Sequence, residues 1–280
     1  MHWISLKKEK KVSKKFLIFS DLDGTLLDHD SYSFSAAAKA IDLIQERQIP
    51  LILTTSKTFS EVIKLQKEMG IRQPFIVENG AGLFIPSDCV LAKEDWHKDE
   101  EEWIKVSQSK SYLESRLFLN SMKPKYRLRG FGDMDLKEVE ALTSLEKKDA
   151  KNAMKRDFTE PFIIEEPSLI PELTQEANAL GFDIIQGGRF FHLITLYQDK
   201  AKAMLSLKLL YEEYYQDAFY TIALGDSSND FTMLEHADYG VLIPKTNGMY
   251  APLVISNLIK APFAGPKGWN SSVLGILDAN

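Results

Sequence analysis

Cysteine is almost absent from this chain, because Cys89 is the only one among its 280 residues. One thiol cannot form a disulfide within the chain, which argues against a disulfide-rich secreted domain and favours a reducing compartment. Long apolar runs are also missing, since the stretch 16–19 is far too short to span a bilayer. The lysine-rich segment 1–15 lacks the apolar run of a signal peptide and is expected to be a solvated tail. We therefore expect a cytoplasmic protein without a membrane partner.

An excess of basic residues is missing as well. The formal net charge is -6, whereas proteins that bind nucleic acids usually carry a basic face. We therefore expect no nucleic-acid partner. The hydrophobic fraction of 44% is ordinary for a globular chain and is sufficient to build a core. The length fits one large domain or two of ordinary size.

Strands and helices are predicted to alternate at both ends of the chain. Short apolar runs predict buried strands at 16–20, 50–54, 75–77, 219–224 and 239–243. Periodic apolar faces predict helices at 35–47, 58–69, 200–214 and 228–236. Because such alternation builds a parallel sheet with helices on both faces, the two ends predict one doubly wound, Rossmann-like α/β core.

The middle of the chain is richer in charge and predicts an inserted α+β domain. Helices are expected at 101–108, 136–143, 146–155 and 169–180, and strands at 126–128, 162–165, 182–185 and 191–195. The expected division is therefore a tail at 1–15, a core made of 16–86 and 196–280, and an insert at 87–195.

The most informative motif is the acidic turn Asp21-Leu22-Asp23-Gly24-Thr25, directly after the first predicted strand. Ligands of an open α/β sheet bind beyond the carboxyl ends of its strands. Two nearby carboxylates repel each other as anions, and a divalent cation relieves that repulsion. An oxygen-rich site next to a substrate phosphate suits magnesium, and Gly24 lets the backbone approach a ligand. The alternative is an Asx-rich turn without a chemical role.

A second acidic motif, Gly225-Asp226-Ser227-Ser228-Asn229-Asp230, follows another predicted strand and precedes a helix. It places two further carboxylates and an amide at the carboxyl end of that strand. Taken alone, the motif is consistent with a helix cap. Together with the first acidic motif, it predicts complementary ligands for one metal ion.

Two further segments offer groups for binding an anion. Hydroxyls and backbone amides in 54–57 precede a helix, where they can bind an anion or cap the helix. Lys200 stands at a helix start, where a cation is unfavourable for the helix dipole. That position suggests that Lys200 neutralises a phosphate or a carboxylate. Spacing alone does not separate Lys200 from Lys202.

These four segments, in this order, resemble the four motifs of the haloacid dehalogenase superfamily of phosphatases. The resemblance implies that Asp21 attacks phosphorus and becomes a phospho-aspartate. It implies that Asp23 protonates the leaving oxygen and then activates water. Thr55 and Lys200 would hold the phosphoryl group, and the resemblance selects Lys200 rather than Lys202. A carboxylate is a weak nucleophile, so the phosphate charge has to be neutralised for this chemistry.

The same resemblance implies magnesium as the cofactor. The ion would bind Asp21, the backbone carbonyl of Asp23 and Asp226, with Asp230 close by or behind it. The insert would be a cap that closes over the site and excludes water.

Further segments resemble the mannosyl-3-phosphoglycerate phosphatase family. They are Ser56-Lys57-Thr58, Glu78-Asn79-Gly80-Ala81, Arg129-Gly130-Phe131-Gly132-Asp133-Met134, Glu160-Pro161-Phe162, Gly187-Gly188-Arg189-Phe190-Phe191-His192-Leu193 and Gly265-Pro266-Lys267-Gly268-Trp269. The resemblance implies a phosphorylated sugar as substrate. The residues expected to contact this substrate are Gly24, Thr25, Ser56, Lys57, Arg129, Arg189, His192 and Asn229.

Two of these residues have an equally ordinary structural interpretation. Arg189 suits a carboxylate or phosphate, but a structural salt bridge is the alternative. His192 lies three residues later, so both side chains meet one ligand only if the chain turns between them. A structural histidine is the alternative for His192.

The expected function is hydrolysis of mannosyl-3-phosphoglycerate to mannosylglycerate and phosphate. A phosphatase for glucosyl-3-phosphoglycerate or a hexose phosphate is the close alternative. A phosphomutase would use the same aspartate pair, and a non-catalytic sugar-phosphate sensor would not need Asp23. The sequence carries no signal for an oligomeric state.

Overall fold

The computed structural model of the chain describes residues 14–93, 96, 102–187 and 189–280. The strands of these residues are β1 Lys15–Ser20, β2 Leu51–Leu53, β3 Phe75–Val77, β4 Gly82–Pro86, β5 Trp103–Val106, β6 Leu128–Gly130, β7 Glu160–Ile164, β8 Phe182–Gly187, β9 Phe190–Thr195, β10 Phe219–Gly225, β11 Tyr239–Leu242 and β12 Ile259–Lys260. The α-helices are α1 Ala38–Glu46, α2 Phe59–Met69, α3 Tyr112–Tyr126, α4 Leu136–Thr143, α5 Lys147–Ala153, α6 Ile170–Ala179, α7 Lys200–Tyr215, α8 Phe231–His236 and α9 Gly265–Ala279.

Strands from both ends of the chain form one parallel sheet, in the order β12-β11-β10-β1-β2. Strands β1 and β10 are neighbours, and their register pairs Ser20 with Leu224. The residues that follow these two strands therefore leave the sheet at the same edge. This arrangement confirms the α/β class and the prediction that the two ends share a sheet.

Both faces of the central sheet are covered, and the alternation of β1 shows why. Phe16 and Ile18 belong to the apolar cluster that includes residues of α1, α2 and α9. Leu17 and Phe19 belong to the cluster that includes residues of α7 and α8. Successive side chains of a strand point to opposite faces, so an uninterrupted apolar run suits a strand covered on both sides. The doubly wound arrangement is thus confirmed.

Two antiparallel sheets accompany the parallel one. Strands β3, β4 and β5 form a small sheet in that order, and the insert contains the sheet β6-β7-β9-β8. Helices α3 and α6 contribute buried side chains, including Leu119 and Leu173, to the core of this insert. The inserted part therefore has the expected α+β character.

The predicted helix at 101–108 is wrong over its described part, because Trp103–Val106 is strand β5 and pairs with β4. Trp103 is buried and its ring lies 5.0 Å from that of Phe75. Tertiary packing of this aromatic residue thus overrides the local pattern. Residue 101 lies outside the described residues.

The prediction of a strand at 126–128 is also incorrect at its start, because Tyr126 ends α3 and β6 begins at Leu128. Helix α3 was missed by the sequence pattern. It begins at a capping box in which Ser111 and Glu114 satisfy each other's backbone donors. Its apolar face is indistinct, since Leu113 is largely exposed.

The core and the insert are joined by a buried ion pair between Glu78, which follows β3 of the small sheet, and Arg156. The carboxylate of Glu78 accepts hydrogen bonds from Arg156 Nε at 3.2 Å and from the backbone nitrogens of Asp157 and Thr159 at 2.8 and 2.7 Å. Arg156 Nη2 also donates to the Ser56 carbonyl at 2.8 Å. Because a buried charge without its partner is costly, this junction holds the insert in a defined position.

Helix α9 packs its first turn against β1. Trp269 is fully buried, and its indole Nε1 donates to Ser20 Oγ at 2.9 Å. Gly268 permits a close approach between α9 and the segment before it, because a Cβ there would collide with the Phe263 carbonyl oxygen. None of the described helices is long and apolar enough to cross a membrane.

We predict opposite stability effects for two glycines of α9. Gly268→Ala should lower the free energy of unfolding by about 1–3 kcal/mol, because the new Cβ overpacks the backbone. Gly275→Ala should raise it by roughly 0.5–1 kcal/mol, since its Cβ meets open space and alanine favours the helix. Urea unfolding of both variants measures the difference. Equal effects would contradict the close approach at Gly268.

Candidate active site

Three carboxylates meet at the carboxyl edge of the central sheet. Asp21 follows β1, Asp226 follows β10, and Asp230 immediately precedes α8. One oxygen of each residue lies within 4.8 Å of the others. Each of the three residues is at most 6% exposed. Since β1 and β10 are adjacent and parallel, their carboxyl ends bring the two acidic motifs together, as the sequence predicted.

Lys200, the first residue of α7, lies beneath this acidic cluster. Its Nζ donates to Asp21 Oδ1 at 2.7 Å and to Asp230 Oδ1 at 2.6 Å, and the residue is fully buried. Burial acts to lower the pKa of Lys200, but the two carboxylates raise it above its usual value. Lys202 points elsewhere and donates to the Tyr197 carbonyl. The structure therefore brings Lys200 rather than Lys202 to the cluster.

Lys200 alone does not neutralise three carboxylates. Burial and the charge of Asp230 raise the pKa of Asp21 above its usual value, although Lys200 acts in the opposite direction. Burial likewise raises the pKa of Asp226. Both effects reflect the cost of keeping anions together away from water. A set of carboxylate oxygens within reach of one ion suits a hard divalent cation such as Mg²⁺.

Asp23 is oriented differently from the three clustered aspartates. Its side chain is 45% exposed, and its Oδ2 lies 2.9 Å from Lys57 Nζ. Lys57 also lies 3.7 Å from Glu61 Oε1. Burial opposes the charge of Lys57, but Asp23 and Glu61 raise the pKa of this lysine above its usual value. The carboxylate of Asp23 is thus partly exposed, and Asp23 lines the cavity described below.

Small residues surround the acidic cluster. Gly24 has a φ of 76°, and a Cβ there would lie only 2.7 Å from Asp226 Oδ2, so glycine is required for the close approach. The Oγ1 of Thr25 is buried without a hydrogen-bond partner. Thr55 is 1% exposed, and its Oγ1 accepts from the Lys57 backbone nitrogen at 3.1 Å.

Asn229 is held by a residue to which the sequence analysis gave no role. Its Nδ2 donates to Asn79 Oδ1 at 3.0 Å. Asn79 has a φ of 59°, in the left-handed region that asparagine tolerates better than most residues. The segment 78–81 drew attention as a family match, but nothing local indicated a contact 150 residues away.

A cavity of about 520 Å³ lies between the acidic cluster and the insert. Its size suits a small organic ligand. Its polar lining residues are Asp21, Asp23, His29, Tyr32, Ser56, Lys57, Glu61, Thr143, Arg156, Arg189, His192, Asp226, Ser227, Asn229 and Lys245.

The insert contributes Arg189 and His192 to this cavity, but not Arg129. Arg189 lies in the turn directly before β9 and His192 lies within β9, so the chain does not turn between them, yet both residues line the cavity. The guanidinium of Arg189 donates to the Leu142 carbonyl. Arg129 is half exposed and pairs with Glu138 Oε1 at 2.7 Å, away from the cavity lining.

His192 is a buried group with unused hydrogen-bonding capacity. It is 7% exposed, and its Nδ1 has no partner. Burial, and to a lesser extent the charge of Arg156, lower the pKa of His192 to about 3. The imidazole is therefore neutral at physiological pH and can exchange a hydrogen bond with a ligand in the cavity.

The sequence analysis missed two cations of the cavity wall. Arg156 belongs to the junction with Glu78, and no motif distinguished it. Lys245 follows β11 and donates to Asp226 Oδ2 at 2.6 Å. Because functional groups of parallel sheets follow the carboxyl ends of the strands, the position of Lys245 after β11 is the signal that could have identified it.

The buried neutral state of His192 predicts a pH-dependent loss of stability. Between the folded pKa of His192, about 3, and its ordinary pKa of 6.5, the unfolded chain binds more protons than the folded one. The contribution of His192 to the free energy of unfolding is thus fully present above pH 6.5 and is lost as the pH decreases below that value. Between pH 7 and pH 5, the free energy of unfolding should fall by about 1–2 kcal/mol more in the wild type than in His192→Asn.

Urea unfolding at the two pH values measures this difference. His236→Asn, which changes an exposed histidine of α8, is the matched control and should follow the wild type. If the curve of the His192 variant ran parallel to that of the wild type, the buried neutral imidazole would be refuted.

Known proteins resemble this chain over most of its length. The haloacid dehalogenase-like hydrolase family matches residues 18–247. A Persephonella marina protein named glucosyl-3-phosphoglycerate/mannosyl-3-phosphoglycerate phosphatase is 44% identical over 269 residues, covering 94% of this chain and 97% of its own. A Methanococcoides burtonii protein of the same name is 38% identical, covering 95% and 98%.

Solved structures agree in fold. A Thermoplasma acidophilum protein matches with a TM-score of 0.66 at 19% identity, over 95% of this chain and 100% of its own. The sucrose-phosphatase of Synechocystis matches with a TM-score of 0.62 at 15% identity, over 95% and 98%. At these identities the two structures show the fold alone. The family match and the two relatives of similar length show that this chain belongs to the haloacid dehalogenase-like hydrolases.

Proposed function

We propose that this chain is a magnesium-dependent phosphatase that hydrolyses a sugar-linked phosphomonoester through a phospho-aspartate at Asp21. The observation that carries the proposal is the convergence of three buried carboxylates and Lys200 at one end of a cavity. A buried cluster of carboxylates lowers the stability of the fold unless bound cations compensate its charge. Membership of a hydrolase family and the names of the relatives support the same reaction class.

Binding of the phosphoryl group would be electrostatic. Lys200 and backbone amides near Thr55 offer positive potential at the carboxyl edge of the sheet, and Thr55 offers a hydroxyl. A magnesium ion held by Asp21, the Asp23 carbonyl and Asp226, with Asp230 beside it, would neutralise phosphate charge. Phosphoryl transfer depends mainly on such positioning and charge stabilisation.

The reaction would proceed in two balanced steps. A carboxylate oxygen of Asp21 attacks phosphorus, the bond from phosphorus to the ester oxygen breaks, and Asp23 gives its proton to the leaving alcohol. A water molecule then attacks phosphorus, Asp23 takes a proton from it, and the bond to Asp21 breaks to release phosphate. The exposed carboxylate of Asp23, held near Lys57 rather than in the cluster, suits this exchange.

The substrate proposed first is mannosyl-3-phosphoglycerate. Two relatives that align with at least 94% of the chain are named for both the glucosyl and the mannosyl compound, so the glucosyl compound is the close alternative. Such a substrate carries a phosphate, a glycerate carboxylate and a sugar. Arg189 is a suitable ligand for the carboxylate, and the unpartnered Nδ1 of His192 can bond a sugar hydroxyl.

The remaining substrate predictions have different structural support. Ser56, Lys57 and Asn229 line the cavity, whereas Gly24 and Thr25 lie beside the acidic cluster. The domain division at 86/87 and 195/196 also stays a prediction. Pairing of β4 with β5 across the first of these positions favours an insert that begins after Val106.

We predict that Asp21→Asn removes turnover while the fold survives, because an amide cannot form the phospho-enzyme. Release of phosphate from mannosyl-3-phosphoglycerate with Mg²⁺ should fall by about 10³-fold or more. Asp42→Asn, at an exposed position of α1, is the control and should keep full activity. A variant at position 21 with a tenth of wild-type activity would rule out the nucleophile. Formation of an isomer instead of free phosphate would indicate a mutase.

A substrate panel tests Arg189. In Arg189→Ala, the KM for mannosyl- and glucosyl-3-phosphoglycerate should rise by about 10- to 100-fold through loss of a charge-assisted hydrogen bond. Turnover of p-nitrophenyl phosphate, which lacks the carboxylate, should change little. Arg127→Ala is the control, since Arg127 is exposed beside Glu165. Equal losses on both kinds of substrate would assign Arg189 to the phosphate site or to structure.

A further inference from the structure

A second lysine contacts the acidic cluster from the solvent side. Lys245 Nζ donates to Asp226 Oδ2 at 2.6 Å, within the range of a charge-assisted hydrogen bond. Lys245 lies in the turn after β11. The turn is closed by hydrogen bonds from the Lys245 nitrogen to the Met249 carbonyl and from the Gly248 nitrogen to the Lys245 carbonyl, both 2.8 Å. The turn therefore holds the backbone of Lys245 at the rim of the cavity.

The two lysines of the cluster differ in their freedom to move. Lys200 is fully buried and bonded to two carboxylates. Its movement away would leave buried carboxylates without a cationic partner, which is costly. The side chain of Lys245 is 46% exposed and is bonded to Asp226. A flexible ammonium with access to water can turn away at small cost. Lys245 is thus the exchangeable cation of the pair.

Asp226 is the carboxylate for which two cations compete. Asp226 shares the acidic cluster with Asp21 and Asp230, so a divalent ion that binds there meets the ammonium of Lys245 on one of its ligands. The backbone of Gly24 passes close to that oxygen, because a Cβ added at residue 24 would lie 2.7 Å from it. Like charges this close repel each other, which weakens the hold of Asp226 on Lys245.

We propose that Lys245 occupies Asp226 in competition with the divalent cation and, when the cation displaces it, binds the anionic substrate in the cavity. This inference rests on the proposed function, since it assumes a metal at the acidic cluster. Lys245 lines the same cavity as Asp21, so its displaced ammonium stands near the phosphoryl position. Exchange of this kind keeps the cluster partly neutralised before the metal arrives and adds a positive charge for the substrate afterwards.

Isothermal titration calorimetry of the whole protein with MgCl₂ alone tests the competition. No substrate is present, so the measurement does not depend on catalysis. Lys245→Met should bind Mg²⁺ about five- to tenfold more tightly than the wild type, because the competing ammonium is gone. Inorganic phosphate added at saturating MgCl₂ should bind the variant about tenfold more weakly, since one cationic ligand is missing.

Lys15→Met is the matched control. Lys15 also has a side chain 46% exposed and a carboxylate partner, Asp217, at 2.9 Å, but it lies at the start of β1. Its replacement removes the same net charge and should change neither affinity. If the affinities for Mg²⁺ and phosphate shifted equally in both variants, the loss of one positive charge would explain the effect and the proposal would be overturned.

Three other results would also count against it. If Lys245→Met bound Mg²⁺ within about twofold of the wild type, competition at Asp226 would be refuted while the phosphatase proposal stood. If the wild type bound no Mg²⁺ at all, both proposals would fail together. Unchanged phosphate affinity in Lys245→Met would refute the role of Lys245 toward the substrate.

Discussion

The buried carboxylate cluster at the carboxyl edge of the central sheet is the constraint on which this structure depends. The carboxyl groups of Asp21 and Asp230 have almost no access to water, and Lys200 bonds both of them. Removing one partner of a buried ion pair commonly costs about 3–5 kcal/mol. Three features of the fold bring these groups together. They are the adjacency of β1 and β10, the tight turn at Gly24 and the start of α7 at Lys200. The charge still uncompensated is what suits the cluster to a divalent ion.

Two parts of the chain supply the walls of the cavity. The core supplies the acidic cluster, Thr55 and Lys200, whereas the insert supplies Arg189 and His192 to the opposite wall of the cavity. The buried pair of Glu78 and Arg156 connects the parts, and Arg156 also bonds the backbone beside Thr55. Under the proposed function, the core would supply the reacting groups and the insert the groups that recognise the substrate, so substrate preference could change without change to the reacting groups.

Prediction from the sequence worked best where a signal was local. An apolar run followed by an acidic turn locates both a strand and its functional end, so Asp21 and Asp226 were identified and placed together. The capping box at Thr58 located the start of α2, and the structure has both of its hydrogen bonds. Prediction was poorest in the insert. There α3 lacks a distinct apolar face, and β5 is a strand because Trp103 packs against Phe75.

Residue identities along the chain alone determined the α/β class, the alternation that builds the central sheet and the acidic chemistry at its edge. These properties follow from local apolar periodicity and from which side chains follow each strand. Tertiary structure decided which groups meet: Lys200 reaches Asp21 across 179 positions, Asn229 reaches Asn79 across 150, and Arg129 turns to Glu138 instead of the cavity. Such contacts depend on how whole sheets and helices pack, and no short stretch of sequence records the distance between atoms so far apart in the chain.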